Sequence, residues 1–170
     1  MIKWKVCLLL MCTAQLALAG FSDYGIGARP LGFCGAFVAL ADDGNAASYN
    51  AAGLGFIEQS QFSGTHMQRF RGLVNHNQVS AVVPAGSIGT IGASIGILGE
   101  KNGIYQEQLI TVSYGKSFFQ RFALGSNLRS FTTNFDQENE SIKENPYFQE
   151  KQSASASSID IGLMAKPITG

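Results

Sequence analysis

The chain has 170 residues, and its 12 basic and 12 acidic side chains give a formal net charge of zero. A zero balance offers no electrostatic reason to expect a nucleic acid as a partner. Charged residues make up only 14% of the chain, hydrophobic residues make up 45%, and there are 20 glycines. This composition argues against disorder and suits one β-rich domain whose surface does not all face water.

The first 19 residues have the pattern of a secretory signal peptide. Lys3 and Lys5 precede an apolar stretch, and Ala17-Leu18-Ala19 forms a small-x-small cleavage site. The apolar stretch is shorter than the roughly 20 residues that a spanning helix needs, so cleavage is favoured over anchoring. The sequence therefore predicts an exported protein from which residues 1–19 are removed.

The cysteines and histidines give no pattern typical of an enzyme. Cleavage would remove Cys7 and Cys12, leaving Cys34 as a single thiol that has no internal disulfide partner. No histidine lies near Cys34 in sequence, so we interpret it as a small buried apolar residue. No motif places a serine or an acid beside His66 or His76, which we interpret as surface or pore-lining residues. We therefore predict that the chain is not an enzyme and that it has no cofactor.

The segment GARPLGFCGAFVALADDGNAASYNAAGLG (27–55) is rich in Gly and Ala and contains adjacent aspartates. A nucleotide loop is disfavoured, because no strand precedes the glycines and their spacing misses GxGxxG. A calcium loop spaces its oxygen ligands at alternating positions, whereas adjacent aspartates point apart. We interpret the aspartates as part of a helix-ending turn in which Gly44 takes a positive φ. The alternative is a weak calcium site formed by Asp42, Asp43, Asn45 and Asn50.

From about residue 58 the sequence alternates with a period of two. In IGTIGASIGIL (88–98) two faces alternate, with Ile91, Ala93, Ile95 and Ile97 on one and Thr90, Gly92, Ser94 and Gly96 on the other. Such alternation predicts strands with one apolar face and one polar or small face. The spacing leaves no room for helices, so we predict an all-β antiparallel meander of about six strands. The clear candidates are 77–84, 88–98, 108–116, 122–131 and 158–167, and 61–70 is a weaker one.

The predicted links between strands alternate in length. The links 84–87 and 116–120 are short, whereas 99–107 is longer and polar, and 134–157 is very long and acidic. Outer-membrane barrels alternate short periplasmic turns with long outer loops, and aromatic residues gather at their strand ends, as they do here. We therefore predict part of an outer-membrane β-barrel in contact with lipid. A soluble β-sandwich, which shows the same period of two, is the alternative.

Six strands are too few to close such a barrel, because known membrane barrels have at least about 8. An open sheet would leave unpaired backbone groups in lipid, at a cost of several kcal/mol each. We therefore predict that residues 58–170 are the first strands of a longer barrel. A short barrel that closes by oligomerising is the other possibility.

Residues 27–54 resemble the N-terminal signature of the PorV/PorQ-type outer-membrane proteins, which are related to the FadL-type long-chain fatty-acid transporters. The family pattern is close to G-A-R-x-L-G-x-G-G-A-x-x-A-x-A-D-D-x-x-A-x-x-x-N-P-A-G-L. Cys34 replaces a glycine of this pattern, Tyr49 the usual Trp and Ala51 the Pro. The matching positions are Gly27, Ala28, Arg29, Leu31, Gly32, Gly35, Ala36, Ala39, Ala41, Asp42, Asp43, Asn50, Ala52, Gly53 and Leu54.

The resemblance implies a barrel of about 14 strands, with residues 20–57 folded into its lumen as a plug. Within the plug, Arg29 is expected to pair with Asp42 or Asp43, because a confined charge needs a partner. The resemblance implies transport of hydrophobic small molecules across the outer membrane. A non-transporting partner of a type IX secretion machine is the second possibility, and a soluble exported binding module is the third. The plug residues implied to be structural are Gly27, Ala28, Arg29, Gly32, Gly35, Asp42, Asp43, Asn50 and Gly53.

Overall fold

The computed structural model describes residues 26–136, 143–144, 146 and 153–166. The predicted signal peptide and most of the long acidic link lie outside the described residues. The described part is mostly one six-stranded antiparallel sheet, so the all-β meander is confirmed. The strands are β1 (Gln61–Arg69), β2 (Val74–Pro84), β3 (Thr90–Glu100), β4 (Tyr105–Phe118), β5 (Phe122–Phe135) and β6 (Ser153–Ala165).

Each strand pairs with its sequence neighbours, in the order β1-β2-β3-β4-β5-β6. All six predicted strands are present, including the weak candidate at 61–70. Several run further than the alternation predicts, and β4 and β5 have 14 residues each. Most of the added residues are polar. A backbone ladder continues wherever two chains stay in register, whatever their side chains.

The predicted long link at 99–107 is wrong, the predicted short links at 84–87 and 116–120 are confirmed, and the first four connections do not alternate in length. These connections are 70–73, 85–89, 101–104 and 119–121, and all of them are short. The polar residues expected to form a loop at 99–107 instead extend β3 and β4, with Gly99 opposite Gln106. Only the link after β5 is long. Link lengths therefore no longer distinguish a membrane barrel from a soluble sheet.

The two faces of the sheet differ in composition and in burial. Small and polar residues occupy one face, which we call the inner face, and many of them are buried, including Ser80, Thr111, Ser113 and Asn127. The opposite face, the outer face, carries exposed apolar side chains. Its members are Phe62, Val79, Val83, Ile91, Ile95, Ile110, Val112, Tyr114, Leu124, Leu128, Ile159, Ile161 and Leu163.

The N-terminal segment, residues 26–57, packs against the inner face. It contains two short helices, α1 (Ala28–Gly32) and α2 (Ala46–Tyr49), and a 3₁₀ helix over Ala51–Phe56. No helix among the described residues is long and apolar enough to cross a membrane. The hydrophobic core lies between the segment and the sheet, and it contains Phe37, Ala41, Ala46, Ala52, Leu54, Ile57, Val82, Ala123 and Met164.

Candidate functional site

Three glycines lie side by side on the inner face of β4, β5 and β6. Gly115 is opposite Gly125 in the register, and Gly125 is opposite Gly162. A Cβ atom on Gly125 would lie 2.2 Å from the carbonyl carbon of Ala51, and one on Gly162 would lie 2.2 Å from Oδ1 of Asn50. This glycine row lets the 3₁₀ helix rest directly on the backbone of the sheet. Any larger side chain there would displace the N-terminal segment.

The side chain of Asn50 fastens the segment to the last strand. Its Nδ2 donates to the carbonyl oxygens of Val38, at 3.1 Å, and Leu163, at 3.2 Å. Its Oδ1 accepts from the backbone N–H of Ala52, at 3.1 Å, which caps the 3₁₀ helix. One buried amide therefore holds a loop, a helix start and β6 together. The motif singled out Asn50, although only the fold identifies β6 as its partner.

Three of the glycines in the motif have a visible structural reason. A Cβ atom on Gly53 would lie 1.9 Å from the carbonyl oxygen of Ala41, so the chain crosses itself there without room for a side chain. Gly27 and Gly35 have positive φ values of 104° and 80°, which L-residues with a side chain rarely adopt. These positions shape the N-terminal segment.

Two motif residues at the start of the segment have no such structural reason. Ala28 and Gly32 are exposed, and no atom lies within 4 Å of a Cβ atom built on Gly32. Nothing in the described structure requires those two residue types.

Cys34 is exposed and not buried, so the prediction of a buried apolar thiol is wrong. Its backbone has a φ of 54°, in the left-handed region.

The prediction of a positive φ at Gly44 is also wrong, since Gly44 is absent from the described glycines with that geometry. The glycine serves close packing. A Cβ atom there would lie 3.3 Å from the Cβ atom of Ser63 on β1. The carbonyl oxygen of Gly44 accepts a hydrogen bond of 2.8 Å from the hydroxyl of Ser80 on β2. The turn after the aspartates is therefore packed against the sheet and hydrogen-bonded to it.

Arg29 contacts both aspartates, as the sequence predicts. Its guanidinium donates to both oxygens of Asp42 and to Oδ2 of Asp43, at 3.0 Å for the latter. The hydrogen bond from Arg29 lowers the pKa of Asp42, and the same contact raises the pKa of Arg29. The other oxygen of Asp43 accepts from the backbone N–H of Asn45, at 2.8 Å. The side chains of Arg29 and Asp42 are nearly half exposed, so this group lies at the open side of the segment.

The oxygen atoms proposed for a calcium site are largely occupied by these contacts. Within the described ranges, no group of three or more His, Cys, Asp or Glu side chains is placed to hold a metal. The two carboxylates of the motif face a guanidinium at hydrogen-bonding distance. Their chemistry is that of an ion pair that fastens a loop.

Polar side chains on the inner face hold the segment by its backbone and by one hydroxyl. Asn127 donates to the carbonyl oxygen of Ala47 at 3.0 Å, and Arg129 donates to that of Ser48 at 3.3 Å. Gln78 donates to the hydroxyl of Ser48 at 2.7 Å. The sequence analysis did not identify these contacts. Their only signal was a position on the polar face of a predicted strand.

A cavity of about 330 Å³ lies between the segment and strands β2 to β5. Its walls combine apolar and polar groups. They include Val38 and Tyr49 from the segment and His76, Gln78, Glu107 and Phe131 from the sheet.

The two histidines lie on opposite faces of the sheet. His66 is exposed on β1, with its Nδ1 2.7 Å from Oδ1 of Asn77, its register partner on the outer face. His76 lies on the inner face and lines the cavity. The structure therefore does not bring the two imidazoles together into one site.

Comparisons of this chain with protein families, with curated proteins and with solved structures find no match. A functional conclusion therefore depends on the residues themselves. The relevant features are the apolar outer face, the seated N-terminal segment, the cavity beside it and the resemblance of residues 27–54.

Proposed function

We propose that the chain is part of an outer-membrane β-barrel that moves hydrophobic small molecules, with the N-terminal segment as its lumenal plug. The observation that carries this proposal is which side chains are buried and which are exposed. Small and polar side chains are covered, whereas rows of Ile, Val and Leu are exposed. Each Å² of apolar surface left in water lacks the roughly 25 cal/mol of stabilisation that its removal from water would give. Lipid hydrocarbon would remove the same surface from water. Membrane barrels have this apolar-out and polar-in alternation.

The extent of the apolar outer face supports the proposal. On β3 the outward apolar positions run from Ile91 to Ile97, a rise of about 20 Å at ~3.3 Å per residue. The apolar band of membrane barrels is about 25 Å tall before strand tilt is considered. Toward the β1–β2 turn the outer face becomes polar, and at the other end it meets aromatic residues. The polar positions are His66, Gln68, Asn75, Asn77, Gln106 and Gln108, and the aromatic ones are Phe118, Phe119 and Phe122.

The proposal requires further strands to complete a wall. Among the described residues β1 and β6 each pair on one side only. Four large apolar side chains of the segment are also exposed on it: Leu31, Phe33, Val38 and Leu40. Additional strands, from a longer chain or from other copies, would pair the edges and cover these side chains. Without them the edges would cost several kcal/mol per unpaired group in lipid.

Membrane fractionation tests the barrel. The full-length protein, expressed with its signal sequence, should stay with outer membranes after high-salt and carbonate washes and should be released only by detergent. Release by either wash would overturn the barrel and favour the soluble exported sandwich.

The second candidate is a secretion partner without a substrate in the lumen. The motif, which is closer to the PorV/PorQ branch of the resemblance, favours it, whereas the cavity beside the segment favours transport. Uptake of a radiolabelled long-chain fatty acid and of the matching alcohol should fall in a deletion strain and return with the intact gene. Unchanged uptake of both, together with lost export of cell-surface proteins, would replace transport with secretion.

A further inference from the structure

The cavity beside the N-terminal segment contains polar groups that lack partners. Gln78 is only 8% exposed, and its Oε1 has no hydrogen-bond partner among the described residues. The same holds for Nδ1 of His76, which lines the same cavity. Buried polar atoms of this kind are normally satisfied, by the protein or by a bound molecule. The residues that line the cavity therefore include buried polar atoms whose hydrogen bonds the described residues do not satisfy, beside apolar side chains.

A hydroxyl fits the amide of Gln78 in either orientation. As assigned, Nε2 donates to the Ser48 hydroxyl at 2.7 Å, which leaves Oε1 as an unused acceptor. With the amide rotated, Oε1 would accept from Ser48 and the NH₂ would be the unused donor. A hydroxyl both donates and accepts, so it satisfies either arrangement.

The charges around the cavity do not favour an anion. Nε of Arg129 lies 2.7 Å from a carboxylate oxygen of Asp160 in an ion pair, although its N–H is not aligned for a hydrogen bond, and Nη2 donates to the carbonyl oxygen of Ser48. Its charge is therefore already balanced. Glu107 adds a carboxylate to the wall, where the Tyr105 hydroxyl donates to it. The charge of Arg69 acts on His76, but Arg69 is not among the residues that line the cavity. A ligand carboxylate would meet a like charge and a neutralised arginine, which disfavours binding of the ion.

We propose that this cavity binds a neutral amphiphile, an apolar chain ending in a hydroxyl, in preference to a fatty carboxylate of the same length. The apolar chain would lie against Val38, Leu98 and Leu109, and the hydroxyl would bond to Gln78. The inference rests on the proposed function, because it names the class of hydrophobic molecule that enters beside the plug.

The test uses the full-length protein in lipid nanodiscs at pH 8, where an imidazole of ordinary pKa, about 6.5, is neutral. 1-Decanol and decanoate compete with a fluorescent apolar probe, and empty nanodiscs correct for partition into lipid. Decanol should bind at least about tenfold more tightly than decanoate. Equal binding, or tighter binding of decanoate, would overturn the inference.

Two variants, each with a control variant, test which residues cause the preference for decanol. Gln78→Leu should weaken decanol binding several-fold, whereas Gln106→Leu, which changes an exposed glutamine on the outer face, should leave it unchanged. Glu107→Gln, which keeps the shape of the side chain, should strengthen decanoate binding, and Glu58→Gln, at an exposed position, should not. If Glu107→Gln leaves decanoate binding unaltered, the electrostatic reason is wrong.

Measuring the passage of both probes across a membrane distinguishes a failure of the inference from a failure of the proposed function. In proteoliposomes, decanol binding without protein-dependent passage of either probe would remove the transport function and keep the binding site. Protein-dependent passage of both probes with no preference in binding would keep transport and remove the inference.

Discussion

Arg29 and the two aspartates join the beginning of the N-terminal segment to the turn before α2. The guanidinium also lies over the ring of the fully buried Phe37, 5.3 Å from its centroid. The sequence motif was enough to predict this pairing, because three charged residues in one confined segment have few other partners. It did not predict that the pair would be nearly half exposed among the described residues.

The ion pair should make stability depend on pH in the acid range. Because Arg29 lowers the pKa of Asp42 from its ordinary 3.8, the contribution is full above that value. It is lost as pH falls through the lowered pKa and the carboxylate takes up a proton. Solvent screening limits the effect to about 1 kcal/mol or less. Unfolding curves between about pH 2 and pH 6 should show this loss in the wild type and not in Arg29→Gln.

A second arginine variant is the control for that measurement. Arg121→Gln removes an exposed arginine from the β4–β5 turn and should keep the wild-type pH dependence. If Arg29→Gln and the wild type lose stability in parallel, the ion pair does not contribute. In the proposed barrel, Arg29→Ala should also loosen the N-terminal segment and raise ion leakage across planar bilayers. Wild-type leakage together with wild-type heat stability would count against the pairing as a fastening.

Ala51 stands where the pattern that residues 27–54 resemble has proline, and the structure explains why both residues fit. It is the first residue of the 3₁₀ helix, a position that proline favours, and Asn50 before it is extended, with φ −155° and ψ 104°. Ala51→Pro should raise the free energy of unfolding by about 0.4–1 kcal/mol by restricting the unfolded chain. Ala52→Pro, one residue later, should be strongly destabilising, because it removes the N–H that bonds to Asn50. Equal effects of the two changes in denaturant unfolding would contradict this assignment.

At the scale of elements, the alternation located every strand but underestimated the lengths of β2, β4, β5 and β6. Residues such as Gln106 and Asn134 continue the ladders of β4 and β5 without any apolar pattern. Local periodicity reports which side chains face a nonpolar surrounding, whereas strand ends depend on how far two backbones stay in register. The error in link lengths has the same cause.

The glycine row is the element-scale feature most open to test. Gly125→Val should push the 3₁₀ helix off the sheet, since even a Cβ atom would overlap Ala51. Overpacking of this kind costs typically 1–3 kcal/mol, and the N-terminal segment should become sensitive to protease. The control is Gly64→Val, because no atom lies within 4 Å of a Cβ atom at that exposed position on β1. Equal protease resistance of the segment in both variants would show that the row does not seat it.

At the scale of the whole molecule, one substitution separates a membrane sheet from a soluble one. Val112 lies near the middle of β4 on the outer face and is 52% exposed. In a lipid-facing wall, Val112→Arg should cost about 2–4 kcal/mol and reduce the amount of protein assembled in the membrane. Gln106→Arg, at the polar end of the same face, should cost about 0–1 kcal/mol. If Val112→Arg instead leaves assembly intact and improves solubility, the outer face contacts water.

The sequence by itself determined the six antiparallel strands, their two unlike faces and the pairing of Arg29 with the aspartates. The signal peptide stays a prediction, since residues 1–19 lie outside the described part. These features are local: alternation is a property of each strand, and the charges belong to one short segment.

Only the tertiary structure decided which face is covered, and by what. It aligned Gly115, Gly125 and Gly162 into a row, joined Asn50 to Leu163 across 113 positions of sequence, and formed a cavity beside the segment. These features depend on strand register and on close packing between backbones distant in sequence. A single strand's pattern of side chains does not specify either of them.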